Sequence, residues 1–398
     1  VAVVGGGILG SVTALLLANQ GIMVTLFEAE AKLMNAASGA GEGKIHLGLV
    51  YPLGDDSTRL HMLECALSFS PVIERAIGRP IDWPTITSPG FLNLVMPDSL
   101  VSLSELGNVY ANLNREFVAR QSRWGNTYLG HTLDALFESQ PVQHDRSGLW
   151  GFQTQERAVV PAELARLVTE SVANHPNVHT RFLANVSEMR NTELGVVVSW
   201  EHSSGANAEE FSMAINCTWQ KQMTFVSRER RAKWNIRFKT SVSIPNESMP
   251  PHSRETVTLV TGPYGDVVAY PQSTYVSWYP VGRLAHEETE YPSEQMASRV
   301  DEGMKRTDVV VDQVTHLAAL GFLPNQEEID LSKASISGGY IIGEGHHDID
   351  QRDSGLHDRH HREAIREGNI VTPINFKFST APLAAQRVVH EIIPELSK

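Results

Sequence analysis

The sequence predicts an α/β chain in two parts, a parallel sheet flanked by helices and a second domain built on a mixed antiparallel sheet. Three observations predict it. Residues 1–4 form a short β-branched run that enters the turn Gly5-Gly6-Gly7-Ile8-Leu9-Gly10, and a helical pattern comes at once after it. A second apolar run, 22–27, ends on the acidic Glu28, at the distance from Gly10 where the next strand of such a unit should end. After Cys217, short β-rich runs separated by turn residues recur at 236–244, 256–261, 266–269 and 275–279, which implies strands that pair with their neighbours.

The first unit is specified in order. Gly5 permits the tight turn, Gly7 lets the backbone approach a pyrophosphate, and Gly10 lets helix and strand pack closely. Leu9, Val12, Leu15, Leu16 and Leu17 carry the helix from Ile8 until Gly21 stops it. The N-terminus of that helix offers unpaired N–H groups to an anion. Glu28, with Ala29 beside it, would accept both hydroxyls of an adenosine ribose, which favours FAD or NAD over NADP. This is a Rossmann-like unit, and the segment after its second strand separates the two cofactors. Residues 36–48, AASGAGEGKIHLG, are small and glycine-dense, so backbone can pass close to a large flat ligand.

The stretch from Ser38 through Gly43, Lys44, Ile45 and His46 to Gly48 resembles the flavin-contacting loop of the D-amino-acid oxidase-like (DAO) flavoproteins, nearest to the loops of glycerol-3-phosphate and L-2-hydroxyglutarate dehydrogenases. Three later segments are similar to that family's landmarks and keep their order. Residues 156–178 enter a long helix at Val160-Pro161, with a strand bearing Val186 beyond. AINCTW, 214–219, stands where the family has the strand returning to the dinucleotide, with Cys217 for alanine and Trp219 for glycine. Gly338-Gly339-Tyr340 together with Asn375-Phe376-Lys377-Phe378-Ser379-Thr380 is similar to the segment beneath the flavin pyrimidine, with Phe376 for glycine. The resemblance implies an extended FAD held by these segments; some relatives attach the flavin covalently through a histidine near His46, but non-covalent binding is expected here. A closing helix is expected independently: Ser379 or Thr380 as N-cap, Pro382 in the first turn, and Leu383, Val388, Val389 and Ile392 on the apolar face. Its positive end and Lys377 would stabilise negative charge on a reduced flavin.

The expected organisation is discontinuous. An FAD-binding domain comes from 1–85, 151–225 and 331–398, and a substrate domain from 86–150 and 226–330. Within the latter, 91–96 reads as a strand, and Asp98 or Ser99 caps a helix running to about Arg120. A further helix is expected from Thr58 to about Arg75, with Cys65 as a small core residue.

The resemblance implies an FAD-dependent oxidoreductase moving a hydride from a small amine, amino acid or hydroxy acid to flavin N5, so the site needs orienting groups rather than a nucleophile. His46 is the candidate base, Tyr279 the candidate wall facing the ring, and Arg283 the candidate clamp for a substrate carboxylate, with Arg237 as a second. The acceptor that reoxidises the flavin is oxygen or another molecule. Three rival readings stand beside this one, the weakest an NAD-only dehydrogenase, which would leave the small-residue loop and the Lys377 segment without a purpose. The first is a flavin-binding protein of the same fold without turnover, motivated by the bulk of Trp219 and Phe376. The second is a membrane-associated dehydrogenase passing electrons to quinone.

Composition bounds these readings. The chain has 398 residues with 41% hydrophobic and 20% charged, so a sizeable core can form. With 33 basic against 46 acidic residues the net charge is −13, which disfavours nucleic acid and anionic lipid as partners. Two cysteines, Cys65 and Cys217, are too few for a disulfide framework and fit a reducing compartment. No run approaches a membrane span, so a cytoplasmic location is expected. The histidine-rich stretch 346–361 could place His357, His360 and His361 on one helical turn as a metal would need, but its likeness to a family segment near the dinucleotide explains it without metal, and none is expected. The basic cluster Arg228, Arg230, Arg231 and Lys233 reads as a solvated loop.

Overall fold

In the computed structural model, which describes residues 1–203, 205–251 and 253–396, the glycine turn sits at the centre of a six-stranded sheet. The strand order is 178–181, 24–27, 2–4, 214–216, 370–372 and 365–367. The first five run parallel and the last is an antiparallel edge. The strand Ala2–Val4 is buried on both faces, which is why it is a short, wholly apolar run rather than an alternating one. Every residue of the helix Ile8–Ala18 is buried, because it is covered by the helices Ala381–Leu396, Pro161–Asn174 and Asp56–Ile77 as well as by the sheet.

Those covering helices are held by local chemistry. Asp55 caps Asp56–Ile77 by accepting from the Thr58 N–H, and Gly78, at φ 73°, ends it. Pro161 occupies the first turn of Pro161–Asn174, where its missing N–H costs nothing. The helix expected from Asp98 or Ser99 begins later, at Leu103, and runs to Trp124. Ser102 and Glu105 form a reciprocal capping box there, while the Ser99 hydroxyl donates to the Val260 carbonyl. The closing helix also departs from expectation. A short 3-10 turn, Phe378–Thr380, precedes Ala381, and the Thr380 hydroxyl donates to the Lys377 carbonyl instead of capping.

The second sheet is mixed. Its order is 283–289, 234–245, 273–278, 265–269, 257–260, 92–95, 150–153 and 142–143, with Ser335–Gly343 also paired to Trp234–Pro245. All these pairings are antiparallel except that of 257–260 with 92–95. Residues 331–396 therefore do not lie together in the parallel-sheet unit. Ser335–Gly343 joins the antiparallel sheet along nine register pairs, and 365–372 joins the parallel one. Two close approaches join segments far apart in the chain. Lys44–Ile45 pairs antiparallel with Arg157–Ala158, and Gly339 lies so close to the helix Ala37–Ala40 that a Cβ there would sit 2.8 Å from the Ala37 Cα. Among the described residues, no helix is long and apolar enough to cross a membrane.

Candidate active site

A groove crosses the carboxyl ends of the parallel strands. Val4 to Leu9, Phe27 to Glu30, Met34 to Ser38, Ala184 to Val186 and Cys217 to Lys221 line it, with Phe378 at its far end. Gly5 adopts φ +103°, and a Cβ there would lie 2.5 Å from the Cys217 carbonyl oxygen, so only glycine fits. Gly10 lies beneath, where a Cβ would sit 1.8 Å from the Gly5 carbonyl. Glu28 accepts from the Gly6 N–H at 2.7 Å and the Glu30 N–H at 2.8 Å, one bond to each oxygen, which leaves each a lone pair for a further donor. Burial raises its carboxyl, against those backbone bonds. The Ser38 hydroxyl accepts from the Ile8 N–H at 3.0 Å, so the small-residue loop is tied to the turn.

The groove opens into a cavity of about 250 Å³ beneath the antiparallel sheet, and the two share Ala37, Ser38, Trp219 and Phe378. Trp219 sits at φ 55°, the left-handed conformation that glycine adopts most readily, and its indole N–H donates to the Tyr340 carbonyl at 2.8 Å. The backbone shape is thus kept while the side chain is tethered to the neighbouring strand. Phe376 is buried edge-on against Trp234, with ring centroids 5.2 Å apart.

The cavity is rich in ions. On one side Lys44 is buried, 2.6 Å from Asp266, bonded to the Thr258 hydroxyl and 4.1 Å from the Phe91 ring centre. Lys239 lies 3.8 Å from the same carboxylate. Burial works against the Asp266 charge, but Lys44 and Lys239 outweigh it and hold that carboxyl well below its usual range. Burial likewise opposes the Glu42 charge, and Lys239, Lys44 and Lys377 together hold it low.

On the other side His46 is buried with Nδ1 3.3 Å from Glu156 Oε1. Glu156 is wholly enclosed, and its Oε2 accepts from the Leu47 N–H at 2.7 Å. Burial lowers the His46 pKa despite Glu156, and the Lys377 and Lys44 charges push the same way, so the imidazole is neutral at pH 7.

Three cations on this cavity have capacity to spare. The Nε of Arg237 and that of Arg359 are buried without a hydrogen-bond partner among the described residues. The Lys377 ammonium has none among the described residues, and burial first, then Arg359, brings its pKa down to about 7. Tyr279 lines the cavity, donates to Asp348 Oδ1 at 2.7 Å and accepts from Arg237 Nη1 at 3.2 Å, and burial pushes its phenol up to about 12.

The site expectations sort clearly against this geometry. Gly5, Gly7, Ile8, Leu9, Glu28, Ala29, Ser38, Val186, Cys217, Trp219 and Phe378 all line the groove, and Gly43, Lys44, His46, Gly339 and Lys377 line the cavity. Ile45 is fully buried in the core. Arg283 lies off the cavity lining: it is exposed and bonded to Asp348 at 2.5 Å, the carboxylate that Arg237 faces at 3.7 Å. His357, His360 and His361 do not share a helical turn, since only 355–357 forms a single 3-10 turn. His360 instead lies with Asp55 and Asp358, a group whose carboxylates already serve the N-cap at Thr58 and the Asp55 N–H. Glu42, Glu156, Asp266 and Arg359 were not singled out from the sequence. They lie in four separate segments with no shared motif, and only packing brings them together.

A groove at the carboxyl edge of a parallel sheet, shaped by obligatory glycines and opening into a buried ionic cavity, defines a dinucleotide-dependent enzyme of the α/β class. The sequence profile of the FAD dependent oxidoreductase (DAO) family matches residues 1–231, and the chain belongs to that family. No curated protein sequence matches it. Among solved structures it is similar to glycerol-3-phosphate dehydrogenase from Bacillus halodurans complexed with FAD, at 14% identity and TM-score 0.54, covering 100% of this chain and 64% of that one. It thus spans less than two thirds of that protein. It is also similar to glycine oxidase from Geobacillus kaustophilus, at 13% and 0.59, covering 99% and 94%. Iminodiacetate oxidase from Chelativorans sp. BNC1 is similar at 12% and 0.62, covering 99% and 95%. At these identities the likeness is one of fold. The groove fits FAD on its own terms: the Gly5 and Gly10 positions exclude any side chain, and Glu28 keeps free lone pairs beside the turn.

Proposed function

We propose that the protein oxidises a small anionic molecule, an amine, amino acid or hydroxy acid, by removing a hydride in the ionic cavity. FAD, bound non-covalently, supplies the acceptor for that hydride. Gly5, Gly7, Ile8, Leu9, Gly10, Glu28, Ala29, Ser38, Val186, Cys217 and Trp219 would hold its nucleotide part, and Gly43, Lys44, Ile45, His46, Gly339, Lys377 and Phe378 its flavin part. Lys44 acts there through the wall it builds with Asp266 rather than as a free cation. The 1–85, 151–225 and 331–398 segments would form the cofactor unit, with Ser335–Gly343 lent to the substrate sheet.

The observation that carries the reading is the spare hydrogen-bonding capacity of the cavity's cations, of which Arg237 also faces Asp348 at 3.7 Å. Arg237, Arg359 and Lys377 face one cavity that is continuous with the nucleotide groove, and the first two keep buried Nε groups unpartnered. An unpaired buried donor is costly, so an anion seated there would satisfy several at once. Tyr279 orients Arg237 and closes the wall, while Arg283 balances Asp348 from outside. The two buried thiols, Cys65 and Cys217, fit a reducing, cytoplasmic setting, which fractionation of cells would check.

The test is the visible spectrum of the purified protein. Flavin bands at about 450 nm, released on denaturation, are expected to bleach with a member of an anionic amine and hydroxy-acid panel. Arg359→Met is expected to weaken that substrate about tenfold to a hundredfold, the range for a charged hydrogen bond. A protein that binds FAD yet is bleached equally by neutral analogues, or by none of the panel, overturns the reading.

A further inference from the structure

We propose that Glu156 and His46 form a dyad that makes this cavity an alcohol-oxidising site, so that the substrate is a hydroxy acid rather than an amine. The inference rests on the hydride-removal reading above and decides between its two branches.

The dyad follows from chain topology. The two-residue strand Lys44–Ile45 pairs antiparallel with Arg157–Ala158, in register Lys44↔Ala158 and Ile45↔Arg157. The next residue along one strand, His46, is thereby brought beside the residue preceding the other, Glu156. The pairing is locked from outside by Tyr128, whose hydroxyl donates to the Ile45 carbonyl at 2.5 Å and accepts from the Arg157 N–H at 2.9 Å. Glu156 is fully buried, and its two oxygens have separate duties: Oε2 accepts from the Leu47 N–H and Oε1 faces His46 Nδ1.

Oε2 already accepts from the Leu47 N–H, and with Oε1 accepting in turn from Nδ1 the neutral ring presents its lone pair on Nε2. His46 lines the cavity, and Nε2 has no hydrogen-bond partner among the described residues. Tyr51, edge-on at 5.6 Å between ring centres, fixes the ring plane. The charged groups around the imidazole are Glu156 on one side and Lys44 and Lys377 on the other, and with burial the net effect is a ring that stays neutral. It is therefore an oriented base.

The chemistry of the two substrate branches differs in its need for one. An amine loses its extra proton to water before reaction, and its lone pair then assists departure of the hydride. A hydroxyl is far too weak an acid to do so, and its proton must be taken as the carbon–hydrogen bond breaks. In the balanced step, the O–H proton passes to His46 Nε2, the carbon-bound hydrogen leaves with its electron pair to the oxidised flavin, and the carbon–oxygen single bond becomes a carbonyl. Glu156 touches no reacting atom. It is a positioning residue that fixes the tautomer and offsets the imidazolium charge as it forms.

The experiment uses the FAD-loaded protein and matched pairs of probes: glycolate with glycine, lactate with alanine, and malate with aspartate. The hydroxy member of a pair is expected to bleach the flavin at least about tenfold faster than its amino partner. Glu156→Gln is expected to lose about a hundredfold or more of that rate at pH 8, with probe binding changed little. The pH matters: removing the carboxylate lowers the His46 pKa further, so the base form is complete at pH 8 in both proteins, and a rate loss there reports orientation rather than titration. Nitrogen-15 NMR of histidine-labelled wild-type protein adds a readout that needs no variant, and should show His46 as the Nδ1–H tautomer at pH 7. Bleaching by amines alone, a Glu156→Gln rate equal to wild type, or an Nε2–H tautomer overturns the dyad while leaving hydride removal intact. No bleaching by any probe with flavin bound sinks hydride removal and the dyad with it.

Discussion

The groove and the cavity it opens into are built on opposite plans. The groove is made chiefly of backbone and small or apolar side chains, with Glu28 as its one buried-side carboxylate among Gly5, Gly7, Ile8, Leu9, Ala29 and Ser38. The cavity is made of side chains carrying charge, Glu42, Lys44, Arg237, Lys239, Asp266, Arg359 and Lys377, drawn from segments far apart in the chain. Backbone recognition needs residues that get out of the way, and these are contiguous because one turn supplies them. Ionic recognition needs opposed charges at fixed separations, and in a low-dielectric site each must be matched by another. The first region therefore tolerates no added atoms, whereas the second tolerates no missing charge.

That contrast can be broken most forcefully at Asp266. Asp266→Asn leaves Lys44 buried without its 2.6 Å partner and is expected to destabilise the protein by about 3–5 kcal/mol in denaturant unfolding. Because its folded pKa lies well below the unfolded value, the Asp266 contribution is present above about pH 4 and lost as pH falls through the folded pKa. The gap between wild type and variant should therefore stay constant from pH 8 to 5 and narrow only in strong acid. A gap that narrows near pH 6 would assign the stability to another group.

In the groove the matching change adds atoms. Gly10→Ala places a Cβ 1.8 Å from the Gly5 carbonyl and 3.2 Å from the Cys217 Cβ, and should cost about 1–3 kcal/mol by forcing helix and turn apart. The same variant is expected to lose bound FAD, read from the flavin bands after gel filtration. Retention of both stability and flavin would show that helix and turn have room between them.

The smallest effect expected is a titration. With Lys377 at a pKa of about 7, its ammonium is present below that pH and lost above it. Affinity for an anionic probe should fall as pH rises from 6 to 8, by no more than about tenfold per unit. Lys377→Met should flatten that slope. A slope unchanged in the variant would move the titrating group elsewhere in the cavity.

How much of this was legible in the sequence depends on the same division. The strand, glycine turn, helix and acidic strand end lie within residues 1–28, so their spacing alone announces the groove. Strands of the second sheet were legible from β-branched runs, and 257–260, 265–269 and 273–278 do pair in chain order, but 92–95 and Ser335–Gly343 join partners far along the chain that no local run reveals. The start of the helix Leu103–Trp124 was misplaced because Asp98, Ser99 and Ser102 are all competent caps. Only Ser102 has a glutamate three residues on that reaches back to its own N–H. Arg283 and Arg237 look alike in sequence and both face Asp348, yet Arg237 is 3% exposed and lines the cavity, whereas Arg283 is exposed and lies off its lining.

The α/β class, the nucleotide groove and the family were thus readable from the chain alone, because the strand, glycine turn, helix and acidic strand end that signal them lie within residues 1–28. The ionic cavity came from folding: Lys44 is answered by Asp266, Glu156 stands behind His46, and Arg359 reaches a site seeded from the other end of the molecule. The physical reason is that glycine acts through its own backbone, which sequence spells out, while a charge acts through its partner, which only packing supplies.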